Sequence, residues 1–116
     1  MSINTVLLML VFLASLVFTS NLSSQESTVE KGKKIAFDRS AGNCLACHLI
    51  EGGESPGNIG PPLVAMKARF PDAEKLRNII WDITQTRPEA MMPPFGKHKI
   101  ISEQEIDDIV SYLYTL

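Results

Sequence analysis

Charge is absent from the beginning of this 116-residue sequence, in which every Lys, Arg, Asp and Glu lies after Ser24. The uncharged stretch contains an apolar run, Val6 to Phe18, that is interrupted only by Ser15. This run is shorter than the ~20 apolar residues that a transmembrane helix needs. An apolar core followed by small polar residues is typical of an export signal. We therefore expect a cleaved signal peptide over residues 1–24 and one domain over residues 25–116.

An uncleaved membrane anchor is the alternative interpretation of this segment. Residues 1–5 lack the Lys or Arg of a usual signal, and residues 19–24 contain several small side chains but no clear cleavage site. A lipid anchor would need a cysteine directly after the apolar run, and the sequence has none there. We expect release into the periplasm, with the membrane as a partner only if the segment is retained.

Cysteine is scarce as well. The two cysteines, Cys44 and Cys47, belong to one short motif, so they cannot close a large disulfide loop. A domain below about 100 residues has a thin core and usually needs a disulfide, a metal or a cofactor for stability. Since a long-range disulfide is excluded, we expect a bound group at the centre of the domain.

Neither a strongly basic surface nor a strand pattern is present. The net charge is −2 and no basic run exceeds Lys33-Lys34, which argues against nucleic acid as a partner. No stretch alternates apolar and polar residues as a half-buried strand does, so we predict an all-α fold. Two irregular loops rich in Gly or Pro, residues 51–62 and 86–99, are long for so small a domain, and they indicate that something fills the space they enclose.

Three segments are predicted to be helical. The first runs from about Ser27 to Arg39, and Gly32 in its middle indicates the close approach of another helix. The second begins at Pro71-Asp72. The third begins with a capping box formed by Ser102 and Glu105. Four apolar residues then follow at helical spacing: Ile106, Ile109, Val110 and Leu113.

The segment Cys44-Leu45-Ala46-Cys47-His48 has the spacing Cys-x-x-Cys-His. Two thiols at this spacing reach the two vinyl groups of one haem and form thioether bonds, while the adjacent His ligates the iron. Attachment of this kind takes place outside the cytoplasm, in agreement with the predicted signal. We expect one covalent haem c, attached through Cys44 and Cys47 and ligated by His48.

Three other interpretations of this motif are weaker. A thioredoxin-like redox pair needs a βαβ context, which is missing. A structural zinc site needs four ligands, and His98 would have to be the fourth without the paired spacing that such sites use. A disulfide between Cys44 and Cys47 would close a very small, strained loop.

The second axial ligand of the iron has four candidates: Met66, Met91, Met92 and His98. We interpret Met66 as a core side chain, because a Met within a helix more often fills space than binds iron. Met92 precedes Pro93-Pro94, which stiffen the backbone and suit it to hold a thioether. We predict Met92 as the ligand, with Met91 as its competitor. His98 would give a haem of lower potential, and its place between two lysines favours a surface residue.

The second ring nitrogen of His48 needs a hydrogen-bond partner that fixes the ring orientation. The carbonyl of Pro61, in Gly60-Pro61-Pro62-Leu63, follows the intervening loop and is a candidate acceptor. Leu63 would then lie against the haem face. The proline pair could equally be no more than a loop stiffener.

The order of these elements resembles a class I cytochrome c over the whole of residues 25–116. That family has an N-terminal helix, CxxCH, a Gly-Pro-x-Leu loop, a middle helix, a Met-Pro loop and a C-terminal helix. Gly32 and Tyr112-Leu113 match the places where such cytochromes cross their terminal helices. The resemblance implies the class I cytochrome c fold, with helices packed around one covalently bound haem.

A narrower resemblance is carried by GNCLACH (42–48), PGNIGPPLVAMKARFPD (56–72) and MPPFGKHKI (92–100), which are similar to the X subunits of the Sox sulfur-oxidising system. In that family the X subunit forms a heterodimer with a haem-containing Sox A subunit. The Sox AX complex is an L-cysteine S-thiosulfotransferase, which joins thiosulfate oxidatively to a cysteine of the carrier protein Sox YZ.

This resemblance implies a non-catalytic subunit with no catalytic residue of its own. The family's reaction centre is the haem of the A subunit, which has a cysteine-derived ligand, and this chain has no spare cysteine. A haem ligated by His48 and Met92 has no open position for substrate. The subunit is therefore expected to take up electrons and to pass them to a soluble electron-acceptor cytochrome.

A free-standing periplasmic electron carrier is the competing function, and a membrane-anchored cytochrome is a third. A free carrier usually depends on charge steering, for which Lys97 and Lys99 are the obvious pair. An obligate partner would need an apolar surface patch. Ile50, Ile59 and Phe95 are candidates for that patch, although they could equally face the haem.

Overall fold

The computed structural model describes residues 26–116, and the predicted signal peptide lies outside the described residues. The described part has four α-helices and two 3-10 turns: α1 (Thr28–Phe37), a turn at Cys44–Ala46, α2 (Met66–Arg69), α3 (Ala73–Asp82), a turn at Ile83–Gln85 and α4 (Glu103–Leu113). No strand occurs in residues 26–116, so the predicted all-α class is confirmed. In the same residues, no helix has the length and apolar character needed to cross a membrane.

Each long helix begins at a side chain that caps it. The Ser27 hydroxyl accepts a hydrogen bond from the Glu30 amide at the start of α1, and the Asp72 carboxylate accepts one from the Glu74 amide at the start of α3. At α4 the predicted capping box is present, because the Ser102 hydroxyl and the Glu105 carboxylate each accept a hydrogen bond from the other's backbone amide. Such caps satisfy amide groups that have no partner within the helix.

The helices α1 and α4 cross in close backbone contact at Gly32. A Cβ atom at this position would overlap the carbonyl oxygen of Asp108 in α4. Further along the crossing, the rings of Phe37 and Tyr112 meet edge to face, with centroids 6.3 Å apart. The packing role predicted for Gly32 is thereby confirmed.

The helix α3 packs against α4 on the other side. Arg77 bridges the two helices, since its guanidinium pairs with Asp107 at 2.6 Å and with Glu103 at 3.2 Å. The core under these helices is formed by buried apolar side chains, which include Ala36, Leu76, Ile80, Phe95, Ile101, Ile106, Ile109, Val110 and Leu113.

The short helix α2 was not one of the three predicted helical segments, although Met66 was interpreted as a residue within a helix. It begins at Met66, which is 2% exposed and lies in the core as expected. Contacts from the far end of the chain hold it in place, because the Met66 amide donates to the Leu116 carbonyl at 3.2 Å and the Tyr114 hydroxyl donates to the Phe70 carbonyl at 2.7 Å. A four-residue helix that depends on such distant contacts has no periodic signal in the sequence.

The substitution Gly32→Ala tests the helix crossing. The added methyl group would collide with the backbone of α4, so α1 and α4 must separate, at a cost of about 1–3 kcal/mol in the free energy of unfolding. Denaturant unfolding followed by circular dichroism measures this loss. Lys33→Ala, on the exposed side of α1, is the control and should leave stability within about 0.5 kcal/mol of the parent protein. Equal stability of the two variants would contradict the close crossing.

Candidate haem-binding site

A compact turn after α1 carries the Cys-x-x-Cys-His segment. The Gly42 amide donates to the Ile35 carbonyl at 3.1 Å, which folds the chain back on the end of α1. Asn43 then adopts a left-handed conformation with φ 47°, and a 3-10 turn follows at Cys44–Ala46. The His48 amide donates to the Cys44 carbonyl at 3.0 Å, so both ends of the motif belong to one turn.

Both thiols of this turn are half-buried and unpaired with each other. Burial raises the pKa of the Cys44 thiol to about 11. The two thiols therefore lie in one partly apolar turn beside His48, an arrangement that fits the predicted covalent attachment of haem c.

The imidazole of His48 is held by the predicted acceptor. Its Nδ1 lies 2.7 Å from the carbonyl oxygen of Pro61. Since a carbonyl can only accept, Nδ1 carries a proton, and in the neutral imidazole Nε2 is then the nitrogen whose lone pair a metal ion would use. The Pro61 carbonyl therefore orients the His48 ring through a neutral hydrogen bond. The proline pair is thus more than a loop stiffener.

The segment from Gly57 to Leu63, here called the strap, closes over this turn. Its amides donate to the Cys-x-x-Cys-His region at three points: Gly57 to Leu45 at 2.9 Å, Gly60 to Cys47 at 2.8 Å and Leu63 to Leu49 at 2.9 Å. A Cβ atom on Gly60 would overlap the His48 ring. The strap thus lies flat against the imidazole, which only a glycine permits at this position.

Arg69 fastens the strap from the side of α2, a role that sequence reasoning missed. Its Nη1 donates to the Pro62 carbonyl at 2.8 Å and to the Val64 carbonyl at 3.3 Å. The guanidinium therefore binds the backbone immediately next to the carbonyl that orients His48. No sequence motif predicts these contacts of Arg69, because they depend on the position of α2 in the fold.

Large apolar side chains are left exposed next to the predicted haem-binding residues. Leu63 itself is buried in the core, but four exposed residues lie within two positions of His48, Pro61, Leu63 or Met92: Leu49, Ile59, Val64 and Met91. A His nitrogen and a Met sulfur are common axial ligands of haem iron. Apolar side chains beside them suit the apolar faces of a haem.

Two of the residues suggested for an apolar partner surface are not on the surface. Ile50 and Phe95 are buried core residues, and only Ile59 is exposed, at 61%. The sequence could not separate these cases, because an apolar residue in a loop can face the core, the haem or a partner.

The two neighbouring methionines, Met91 and Met92, differ in burial. Met92 is half-buried and packs against the core, whereas Met91 is 77% exposed. Beyond the prolines, the amides of Gly96 and Lys97 both donate to the Trp81 carbonyl at 3.2 Å. This burial favours Met92 over Met91 as the ligand, and the assignment stays a prediction. His98 is exposed, as expected.

Asp82 is a buried carboxylate at the end of α3, with 4% of its surface exposed. It accepts hydrogen bonds from the Thr84 hydroxyl and, at 3.1 Å, from the Thr84 amide, and it pairs with the Lys97 ammonium at 2.9 Å. These donors, the Thr84 hydroxyl first and Lys97 second, outweigh desolvation and lower the pKa of Asp82 to about 2. Asp82 is therefore ionised at neutral pH.

Comparison with known proteins shows a similarity to cytochromes c. The sequence profile of the cytochrome c family matches residues 29–116. Among solved structures, SoxXA from P. pantotrophus superposes with a TM-score of 0.68 at 28% sequence identity, over 83% of this chain and 86% of the matched chain.

A curated relative also matches in sequence. An uncharacterised lipoprotein of Aquifex aeolicus (strain VF5) is 35% identical over 74 residues, which amount to 63% of this chain and 36% of that protein. The chain therefore spans little more than a third of that relative's length.

The substitution Gly60→Ala tests the strap. The added methyl group would push the His48 ring away from the Pro61 carbonyl, at a cost of about 1–3 kcal/mol. We expect less haem per purified protein, measured from the ratio of haem to protein absorbance, and a lowered thermal midpoint. Asn58→Ala, at an exposed position of the same strap, is the control and should match the parent protein. Full haem content and an unchanged midpoint in Gly60→Ala would show that the strap does not hold the ring.

Proposed function

The chain belongs to the cytochrome c family, and we propose that it is the electron-transfer subunit of a two-chain L-cysteine S-thiosulfotransferase of the Sox AX type. Such an enzyme joins thiosulfate oxidatively to a cysteine of the carrier protein Sox YZ. The observation that carries the proposal is the likeness to SoxXA, which extends over 83% of this chain with 28% identity. The agreement includes sequence as well as fold, and a cytochrome c fold alone would be shared with many unrelated carriers.

The residues of the site have separate roles in this proposal. Cys44 and Cys47 would hold the haem through thioether bonds, and His48 and Met92 would supply the nitrogen and sulfur ligands of its iron. The Pro61 carbonyl keeps His48 in one orientation through its 2.7 Å hydrogen bond. Leu63, the last residue of the strap, contributes an apolar side chain to the core. When bound, a haem c supplies a one-electron redox centre.

Chemistry at sulfur belongs to the partner subunit. Joining a carrier thiol to thiosulfate forms one S–S bond and releases one proton and two electrons. The sequence has no cysteine besides Cys44 and Cys47, and ligation by both His48 and Met92 leaves no position for substrate. This subunit then takes up the two electrons one after the other and passes each to a soluble acceptor cytochrome.

The place of action follows from the same proposal. Haem c is attached outside the cytoplasm, and residues 1–24 have the composition of an export signal. We propose a periplasmic domain over residues 25–116 that forms a heterodimer with a Sox A-type cytochrome. If the apolar segment is retained, the same complex would be held at the membrane.

A free-standing periplasmic carrier is the second candidate, and the lysines near Met92 are the observation that favours it. Lys97 and Lys99 are both exposed, and such lysines can steer an acidic partner. The Lys97 ammonium, however, is paired with Asp82, so its charge is largely neutralised. Charge steering would then depend on Lys99, which makes this candidate the weaker one.

The substitution Met92→Ala tests the axial ligand. Loss of the thioether should abolish the near-infrared sulfur-to-iron band of the ferric protein and lower the reduction potential, while the thioether bonds keep the haem attached. Absorption spectroscopy and a redox titration measure both effects. Met91→Ala, which removes the exposed neighbour, should leave the band in place. Persistence of the band in Met92→Ala would assign the ligand to another residue.

Purification from the native host tests the enzyme-subunit proposal. Affinity-tagged protein should bring down a second c-type cytochrome in about equal amount, and thiosulfate with the carrier protein should reduce the haem of the purified complex. Haem spectra before and after thiosulfate addition record this reduction, and omission of the carrier protein is the control. A protein that is purified alone, and is not reduced when thiosulfate is added to the cell extract, would be a free electron carrier.

A further inference from the structure

Asp82 has no part in the proposed haem contacts, yet it is one of two buried carboxylates in residues 26–116. Burial of a charge is costly unless it is paired and hydrogen-bonded. Thr84 lies only two residues further on and supplies local hydrogen bonds. Lys97 lies fifteen residues away, and its ammonium donates to Asp82 at 2.9 Å. This long-range pair joins the end of α3 to the segment that carries Met92.

The chain between Met92 and Lys97 has little freedom to absorb a displacement. Pro93 and Pro94 fix their φ angles, and Phe95 is buried in the core. A Cβ atom on Gly96 would overlap the ring of Trp81, so the backbone lies directly on the indole. Few backbone angles in this short segment are therefore free to absorb a shift of Lys97.

We propose that Asp82 is a positioning residue that holds Met92 at the haem iron by anchoring Lys97, an inference that rests on the ligation proposed above. The pair Asp82–Lys97 and the two amide bonds to the Trp81 carbonyl form one anchor, which we call the α3 anchor. Its function is to keep the thioether in place against release or exchange for an external ligand.

The effect of the α3 anchor on Met92 can be distinguished from a general contribution to the stability of the fold. Arg77 and Asp107 form a comparable pair between α3 and α4, at 2.6 Å. That pair lies outside the segment that carries Met92. Loss of either pair should lower global stability, but only loss of the α3 anchor should release Met92 in the folded protein.

Imidazole binding to the ferric holoprotein measures this release, because the probe must displace the thioether. The apparent dissociation constant for imidazole is inversely proportional to the fraction of molecules in which Met92 is detached. Loss of one partner of a buried, charged hydrogen bond is expected to raise that fraction roughly tenfold. We expect Asp82→Asn and Lys97→Met to bind imidazole about tenfold more tightly than the parent protein, and Asp107→Asn to bind it as the parent does.

The two anchor variants change the charge in opposite directions. Asp82→Asn removes a negative charge and Lys97→Met removes a positive one, so a through-space effect of charge would move their imidazole affinities in opposite senses. Loss of the α3 anchor would instead raise the imidazole affinity of both variants. If Asp82→Asn does not fold, Lys97→Met decides the question, since the Lys97 side chain is more than half exposed.

Two outcomes would overturn the proposal. One is an imidazole affinity of Lys97→Met equal to that of Asp107→Asn, and the other is a shift of the anchor variants in opposite directions. If Met92 is not the iron ligand at all, a different result is expected. In that case Met92→Ala itself would keep the near-infrared band and the parent imidazole affinity, whatever the anchor variants do.

Discussion

The close crossing of α1 and α4 at Gly32 is the contact on which the site depends. It lets the backbone of one helix lie on the backbone of the other, and it sets the position of the end of α1. The Cys-x-x-Cys-His turn begins there, since Gly42 bonds to the carbonyl of Ile35 within α1. The other face of α4 receives α3, whose end holds the segment of Met92. Both proposed iron ligands are therefore positioned with respect to α4.

The two sides of the site are held by different physical means. On the side of His48, neutral hydrogen bonds from the strap and the flat contact of Gly60 fix the ring, and they connect residues twelve to fourteen positions apart. On the side of Met92, the anchor includes an ion pair between a buried carboxylate and a partly exposed ammonium, fifteen residues apart. Charged pairs of this type are costly to break when one partner is removed.

Prediction from the sequence succeeded where a motif marks the residues. The capping box at Ser102 and the Cys-x-x-Cys-His motif depend on residues a few positions apart, and the Pro61 acceptor, thirteen residues from His48, was one of two interpretations of the proline pair. The α2 helix, the clamp of Arg69 on the strap and the pair of Asp82 with Lys97 depend on tertiary placement. An isolated Arg or Asp has the same appearance in a sequence whether it is solvated or holds a loop.

The exposed apolar side chains beside the site have a consequence for the stability of the protein. Leu49, Ile59, Val64 and Met91 are exposed, and exposed apolar surface promotes aggregation. A bound haem adds its binding free energy to the folded state. Covalent attachment would make that contribution permanent, so the stability of each molecule would depend on the delivery of its cofactor.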